Sequence, residues 1–161
     1  MIGVEVHPCP ASARFSREAY GNEHIVERMR NVGDDHFAAG CFQTAAHCYT
    51  AGIDRHDNKS GDPAQLMHAH VNRSAAYLKL GDSAAAEADA SVALELSQRT
   101  YAPSTQRKAL LRRAQAFFEQ GRLDAAHGDL QALGPDDVAA AKLLKKVEAG
   151  QRKAANEWVV I

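Results

Sequence analysis

The sequence has few aromatic residues, few cysteines and no long apolar segment. Only 6% of its 161 residues are aromatic, whereas β-sheets are rich in aromatic and β-branched side chains. Alanine is abundant instead, which favours closely packed helices. No apolar run approaches the roughly 20 residues that a membrane-spanning helix needs. We therefore expect an all-α protein with a single domain, because 161 residues are ample for one core and few for two.

Neither the net charge nor the cysteine content points to a particular class of ligand. The chain carries 19 basic and 20 acidic side chains, so its overall charge attracts neither nucleic acid nor an anionic membrane. Cys9, Cys41 and Cys48 include no Cys-x-x-Cys pair, which implies neither a disulfide framework nor a zinc site. For Cys41 and Cys48 we expect a turn between them and roles as small buried side chains. The composition thus favours a reducing, cytoplasmic location and no cofactor.

A pattern of helix, glycine turn and helix occurs three times along the chain. Gly33, Ser74 and Ala114 can be aligned as small anchor residues. A glycine follows each anchor after seven residues and an alanine after twelve, at Gly40, Gly81 and Gly121 and at Ala45, Ala86 and Ala126. Small residues allow two helices to approach closely, and glycine adopts the positive φ that ends a helix. The pattern predicts three consecutive helical hairpins.

This pattern resembles the tetratricopeptide repeat (TPR) over residues 26–134. The resemblance implies three hairpins in a right-handed superhelix, at about 26–60, 64–98 and 106–134. The anchors are 41 residues (33 to 74) and 40 residues (74 to 114) apart, more than the usual repeat length of about 34. The additional residues fall in segments rich in Asp, Ser, Gly and Pro, which belong in loops or helix extensions.

Three further segments lie outside the repeats. Residues 1–25 are expected to be a partly disordered arm. The motif Gly-Pro-Asp-Asp at 134–137 ends one helix and starts another, so residues 135–155 are predicted to form a helix that caps the array. Its apolar stripe is Ala140, Leu143, Leu144 and Val147. The sequence does not place the tail, residues 156–161.

The first helix of the second segment separates an apolar stripe from a second face. The stripe follows helical spacing and consists of Met67, Val71, Ser74 and Leu78. This spacing directs Asn72, Ala75 and Lys79 elsewhere. In a superhelix of stacked hairpins the first helices line the concave surface, so this second face opens onto a groove. The equivalent positions in the other two repeats include Arg30, Asp34, Phe37, Lys108 and Arg112.

Among TPR proteins, the chain is similar to co-chaperone domains that hold the acidic C-terminus of heat-shock chaperones in a two-carboxylate clamp. The heat-shock organising protein and the UCS-family myosin co-chaperones are of this type. That family takes a lysine and an asparagine from the first repeat, an asparagine from the second, and a lysine and an arginine from the third. Asn72, Lys108 and Arg112 match this pattern, Arg30 replaces the first lysine, and Lys79 matches a further basic groove residue.

The resemblance implies a partner and a mode of binding. The partner would be the acidic C-terminal peptide of a heat-shock chaperone of the 90- or 70-kDa class. Its carboxylates would accept charge-assisted hydrogen bonds from the clamp residues, while Ala75 and Phe37 would line an apolar slot. The protein would then be a co-chaperone-like adaptor.

Asp34 departs from the clamp pattern because it occupies the position of the first-repeat asparagine. At ~4 Å and an effective dielectric constant of about 20, a second carboxylate would be repelled by about 4 kcal/mol. Arg30 lies four residues earlier, where it can pair with Asp34. We therefore expect a weakened or altered clamp, in which Asp34→Asn strengthens the binding of acidic tails by about tenfold or more.

Other functions remain as alternatives. A TPR scaffold with an altered clamp would bind a non-chaperone protein, and Asp34 favours this alternative. In a third alternative the tail, which includes Trp158, docks into its own groove or that of a neighbour and causes self-association; otherwise the protein would be a monomer. An enzyme is not indicated, because glycine-rich phosphate loops and Gly-x-Ser-x-Gly motifs are absent. Metal binding is not indicated either, since His68 and His70 would point apart on a helix.

Overall fold

The computed structural model describes residues 25–56, 62–134 and 136–157, which form seven helices and no strand. The helices are α1 (Ile25–Ala38), α2 (Phe42–Ile53), α3 (Pro63–Leu80), α4 (Ser83–Thr100), α5 (Pro103–Glu119), α6 (Leu123–Leu133) and α7 (Val138–Glu157). The predicted all-α class is confirmed. Residues 1–24 of the predicted arm and residues 158–161 of the tail lie outside the described residues.

The helices pair into three successive hairpins, α1 with α2, α3 with α4 and α5 with α6. Each hairpin contacts the next, through α2 and α3 and through α4 and α5. The first helices also contact one another in series, α1 with α3, α3 with α5 and α5 with α7. The first helices therefore form one continuous surface, which positions the candidate site.

Local sequence signals determine where the helices begin and end. Gly40, Gly81 and Gly121 have φ values of +78°, +79° and +75°, so the predicted glycine turns are confirmed. The carboxylate of Asp82 accepts a hydrogen bond from the backbone N–H of Ala85 and caps α4. Between the second and third hairpins the additional residues extend α4, and only residues 101–102 separate it from α5.

Small residues fill the interior of each hairpin, as their spacing predicted. The three aligned alanines, Ala45, Ala86 and Ala126, are completely buried. The predicted apolar stripe of α3, namely Met67, Val71, Ser74 and Leu78, is also buried. Gly33 is the smallest anchor for a steric reason: a Cβ atom there would lie 2.4 Å from the ring of Tyr49.

Helix α7 covers the last hairpin. The carboxylate of Asp137 accepts hydrogen bonds from the backbone N–H groups of Ala139 and Ala140 and so starts the helix. Ala140 and Val147 are buried in one cluster with residues of α5 and α6, and Leu143 and Leu144 pack against it. Lys142, Lys145 and Lys146 are exposed. The role predicted for this apolar stripe is therefore correct.

The expectations for the cysteines were partly wrong. Cys41 is the N-cap residue of α2 and Cys48 lies inside the same helix, so no turn separates them. Both side chains are half-buried rather than buried. Cys48 is a free thiol.

Candidate functional site

A pocket of about 240 Å³ opens where α1, α3 and α5 face one another. Its lining residues are Asp34, Phe37, Ala38, Tyr49, Asn72, Ala75 and Arg112. Five of the eight residues named from the sequence are therefore brought together here: Asp34, Phe37, Asn72, Ala75 and Arg112. One wall is apolar, because the ring of Phe37 packs edge to face against Phe42 at a centroid distance of 5.1 Å.

The carboxylate of Asp34 joins three helices. Its Oδ1 atom accepts hydrogen bonds from the Tyr49 hydroxyl on α2 and from Asn72 Nδ2 on α3, both at 2.7 Å. Its Oδ2 atom accepts a longer contact of 3.4 Å from Arg30 Nη1, one turn earlier on α1. The charge of Asp34 is thus partly compensated within the protein.

Tyr49 is a pocket residue that the sequence reasoning missed. Its side chain is almost completely buried. Burial, together with the hydrogen bond to Asp34, raises the pKa of the hydroxyl far above its usual range, so the hydroxyl remains a donor. A signal for it existed in the sequence: the first anchor is Gly33, where the other repeats have serine and alanine. A larger side chain on the facing helix fills the space that this glycine leaves.

Arg112 is a cation at the α5 side of the pocket. In the part of the chain that the structure describes, its guanidinium takes part in no hydrogen bond or ion pair. Burial lowers the pKa of the Arg112 guanidinium, but arginine side chains remain charged in proteins. The next residue differs: Arg113 pairs with Asp129 through two hydrogen bonds of 2.7 and 2.8 Å. Arg112 is therefore available to an anionic ligand.

Arg30 and Lys108 border the groove on opposite sides of α3. Burial, followed by the charges of Arg30 and Lys108, lowers the pKa of His68, which places both cations near this imidazole. His68 Nε2 also lies 3.0 Å from the Thr105 hydroxyl. Lys108 is exposed, and the Nε atom of Arg30 is buried without a hydrogen-bond partner among the described residues. Two basic groups thus lie next to the pocket without lining it.

Lys79 is more distant from the pocket than the other predicted residues. It is exposed in the last turn of α3, seven residues and roughly 10 Å along the helix from Asn72. It does not line the pocket. The described residues contain neither a group of three potential metal ligands nor a helix long and apolar enough to cross a bilayer.

Comparison with known proteins finds relatives that match most of this chain. It is 36% identical over 104 residues to protein unc-45 homolog B of Danio rerio, a match that covers 65% of this chain and 10% of the relative. It is 34% identical over 122 residues to RNA polymerase II-associated protein 3 of Mus musculus, covering 74% of this chain and 16% of the relative. The chain thus spans less than a fifth of the length of these relatives. No family model matches it.

Solved structures show the same fold. The first TPR domain of human RPAP3 has a TM-score of 0.69 and 29% identity, covering 84% of this chain and 98% of that domain. This chain is a tetratricopeptide-repeat protein. The first TPR of Spaghetti (RPAP3), bound to the HSP90 peptide SRMEEVD, has a TM-score of 0.66 and 28% identity, covering 81% of this chain and 95% of that one. The second TPR domain of human RPAP3, in complex with the HSP70 peptide SGPTIEEVD, has a TM-score of 0.65 and 27% identity, covering 80% and 98%.

In this TPR protein the groove residues fall into two sets with different electrostatics. On the α1 side, Arg30 and Asp34 are opposite charges in contact. On the α5 side, Lys108 and Arg112 are both cations and lie one helical turn apart. Asn72 lies on α3 between the two sets. The groove can therefore bind an anion most strongly at its α5 side.

Proposed function

We propose that this TPR protein binds the acidic C-terminal tail of a heat-shock chaperone in the pocket between α1, α3 and α5. The observation that carries the proposal is the Arg112 guanidinium, which lines the pocket and is unpaired among the described residues, with Lys108 one turn before it. The RPAP3 domains in complex with peptides that end in EEVD support the same ligand class.

Binding would rest on charge-assisted hydrogen bonds and on apolar contact. Arg112 and Lys108 would donate to a carboxylate, and the wall that includes Phe37 and Ala75 would contact an apolar side chain of the tail. A hydrogen bond to a charged group contributes about 1.5–3 kcal/mol, and micromolar affinity requires about 8 kcal/mol in total. A few such contacts are sufficient for a short tail. No covalent chemistry is needed, so the proposed role is that of an adaptor.

Calorimetric titration tests this proposal directly. A peptide that ends in Glu-Glu-Val-Asp with a free C-terminus is compared with the same peptide carrying a C-terminal amide. We expect the free acid to bind with micromolar affinity and the amide at least about tenfold more weakly. Arg112→Ala should weaken binding of the free acid by about tenfold or more. Arg99→Ala removes an exposed arginine of α4 and should have no effect. Equal binding of both peptides, or of neither, would contradict the proposal.

A second candidate is a TPR scaffold for a non-chaperone protein. Asp34 favours this alternative, because it places a carboxylate in the pocket, where a basic or amide group of a partner could donate to it. This alternative predicts that the protein binds neither peptide of the titration. Affinity for the free acid alone would exclude it as the main function of the pocket.

A further inference from the structure

The two oxygen atoms of Asp34 are not equivalent. Oδ1 accepts two hydrogen bonds of 2.7 Å, from Tyr49 and Asn72, and a carboxylate oxygen offers about two acceptor positions. Among the residues that the structure describes, Oδ2 accepts only the 3.4 Å contact from Arg30. The side chain remains 40% exposed and lines the pocket. Oδ1 is therefore saturated, whereas Oδ2 keeps acceptor capacity for a ligand.

Two of the donors on this side of the pocket already donate to Asp34. One N–H of Asn72 points to Asp34, and the Tyr49 hydroxyl donates to the same oxygen. Arg30 contributes a positive charge, but Asp34 offsets it at 3.4 Å. The α1 side thus has no net charge, and it presents an acceptor where a clamp for two carboxylates requires a donor.

The α5 side has the opposite character. Lys108 and Arg112 give it two positive charges, and among the described residues neither has an acidic partner. A carboxylate placed there is attracted by both positive charges. A second carboxylate placed near Asp34 meets another anion.

We infer that the pocket accepts a single carboxylate at Arg112 and a hydrogen-bond donor at Asp34. The preferred ligand is then a peptide tail whose terminal carboxylate contacts Arg112 and whose last side chain is a neutral donor, such as asparagine. This inference rests on the proposed function, since it specifies which tails the same pocket selects. Asp34 is the residue that determines this specificity.

The test compares two tails that differ only in the last side chain. One peptide ends in Glu-Glu-Val-Asp and the other in Glu-Glu-Val-Asn, both with a free C-terminus. Wild-type protein should bind the Asn-ending peptide at least as tightly as the Asp-ending one. Asp34→Asn should shift the ratio of the two dissociation constants by about tenfold in favour of the Asp-ending peptide, because it removes the repelling charge. Amidation of either peptide should weaken its binding to both proteins.

Asp35→Asn is the matched control, because it makes the same chemical change at the next residue, which is exposed. It should leave the ratio unchanged. The Asp34→Asn protein should fold, since the amide oxygen can still accept the hydrogen bonds from Tyr49 and Asn72; a thermal melt by circular dichroism verifies this.

The outcomes separate the inference from the proposed function. If wild-type protein prefers the Asp-ending peptide and Asp34→Asn leaves the ratio unchanged, the inference is wrong while tail binding stands. The inference is also wrong if Asp34→Asn changes how strongly amidation weakens binding but leaves the ratio of the two dissociation constants unchanged. If neither peptide binds to wild-type protein or to Asp34→Asn, the proposed function itself fails, and the inference fails with it.

Discussion

The first hairpin differs from the second and third in how its two helices are joined. In the later hairpins an arginine directly before the anchor residue pairs with an aspartate on the following helix. These pairs are Arg73 with Asp89 and Arg113 with Asp129, each with a nitrogen-to-oxygen distance of 2.7 Å. The equivalent positions of the first hairpin are Val32 and Cys48. Its helices are joined instead by the hydrogen bond between Asp34 and Tyr49.

This difference separates residues that support the fold from residues that face the groove. The arginine–aspartate pairs hold two hairpins together, and the same arginines lie near aromatic rings one turn later, with Arg73 at 5.8 Å from the Tyr77 centroid. In the first hairpin the polar contact is made by Asp34, two residues after the position equivalent to these arginines. The side chain of Asp34 also lines the pocket. The first hairpin thus combines a structural contact with a ligand-facing position.

The largest effect should come from removing the aspartate of the second hairpin. Burial alone would raise the pKa of Asp89, but hydrogen bonds from Arg73 and His70 lower it below its usual range. Asp89→Ala removes the acceptor that both poorly solvated partners share, so we expect a loss of about 3–5 kcal/mol in the free energy of unfolding. Urea denaturation measures it. Glu95→Ala, an exposed acidic residue on the same helix, should change stability by less than about 0.5 kcal/mol. A loss for Asp89→Ala as small as that of the control would mean that the pair does not hold the hairpin together.

An intermediate effect is expected at the anchor of the first hairpin. Gly33→Ala places a Cβ atom 2.4 Å from the Tyr49 ring, and overpacking of this kind costs about 1–3 kcal/mol. Gly128→Ala is the matched control, because this glycine is helical and exposed and a Cβ atom there meets nothing within 4 Å. That substitution should stabilise the protein by about 0.5–1 kcal/mol. Denaturant unfolding of both variants checks the opposite signs; stabilisation by Gly33→Ala would show that the ring moves aside freely.

The smallest effect is expected when an arginine–aspartate pair is introduced into the first hairpin. This change tests whether the two residue types at the equivalent positions are sufficient to form the pair. Val32→Arg with Cys48→Asp introduces the residue types of the later hairpins at the equivalent positions of the first. We expect a favourable coupling energy of about 0.5–1 kcal/mol, since the pair is only half-buried. A double-mutant cycle isolates that coupling from the effects of the single changes. Zero coupling would mean that α1 and α2 cross differently from the helices of the later hairpins.

Much of the fold could be predicted because it follows from local signals. The turns at Gly40, Gly81 and Gly121 require a positive φ, which depends on the glycine itself and not on distant residues. The stripe of α3 and the stripe of α7 follow from helical periodicity. The pairing of Arg30 with Asp34 follows from a spacing of four residues on one helix. Each of these features needs only a short segment of chain.

The polar contacts within the site could not be predicted in the same way. Asp34 accepts hydrogen bonds from residues 15 and 38 positions later in the chain, and helical periodicity has no information about such partners. The resemblance to the clamp family singled out Arg112, but helical periodicity did not show that its neighbour Arg113 pairs with Asp129.

By itself the sequence therefore determined the helices, their turns and the face of each helix that is buried, because propensity and periodicity act within a few residues. Only the tertiary structure decided which charges are compensated and which remain for a ligand. Those electrostatic interactions act between side chains on different helices, and their strength depends on distances and burial that exist only once the hairpins have stacked.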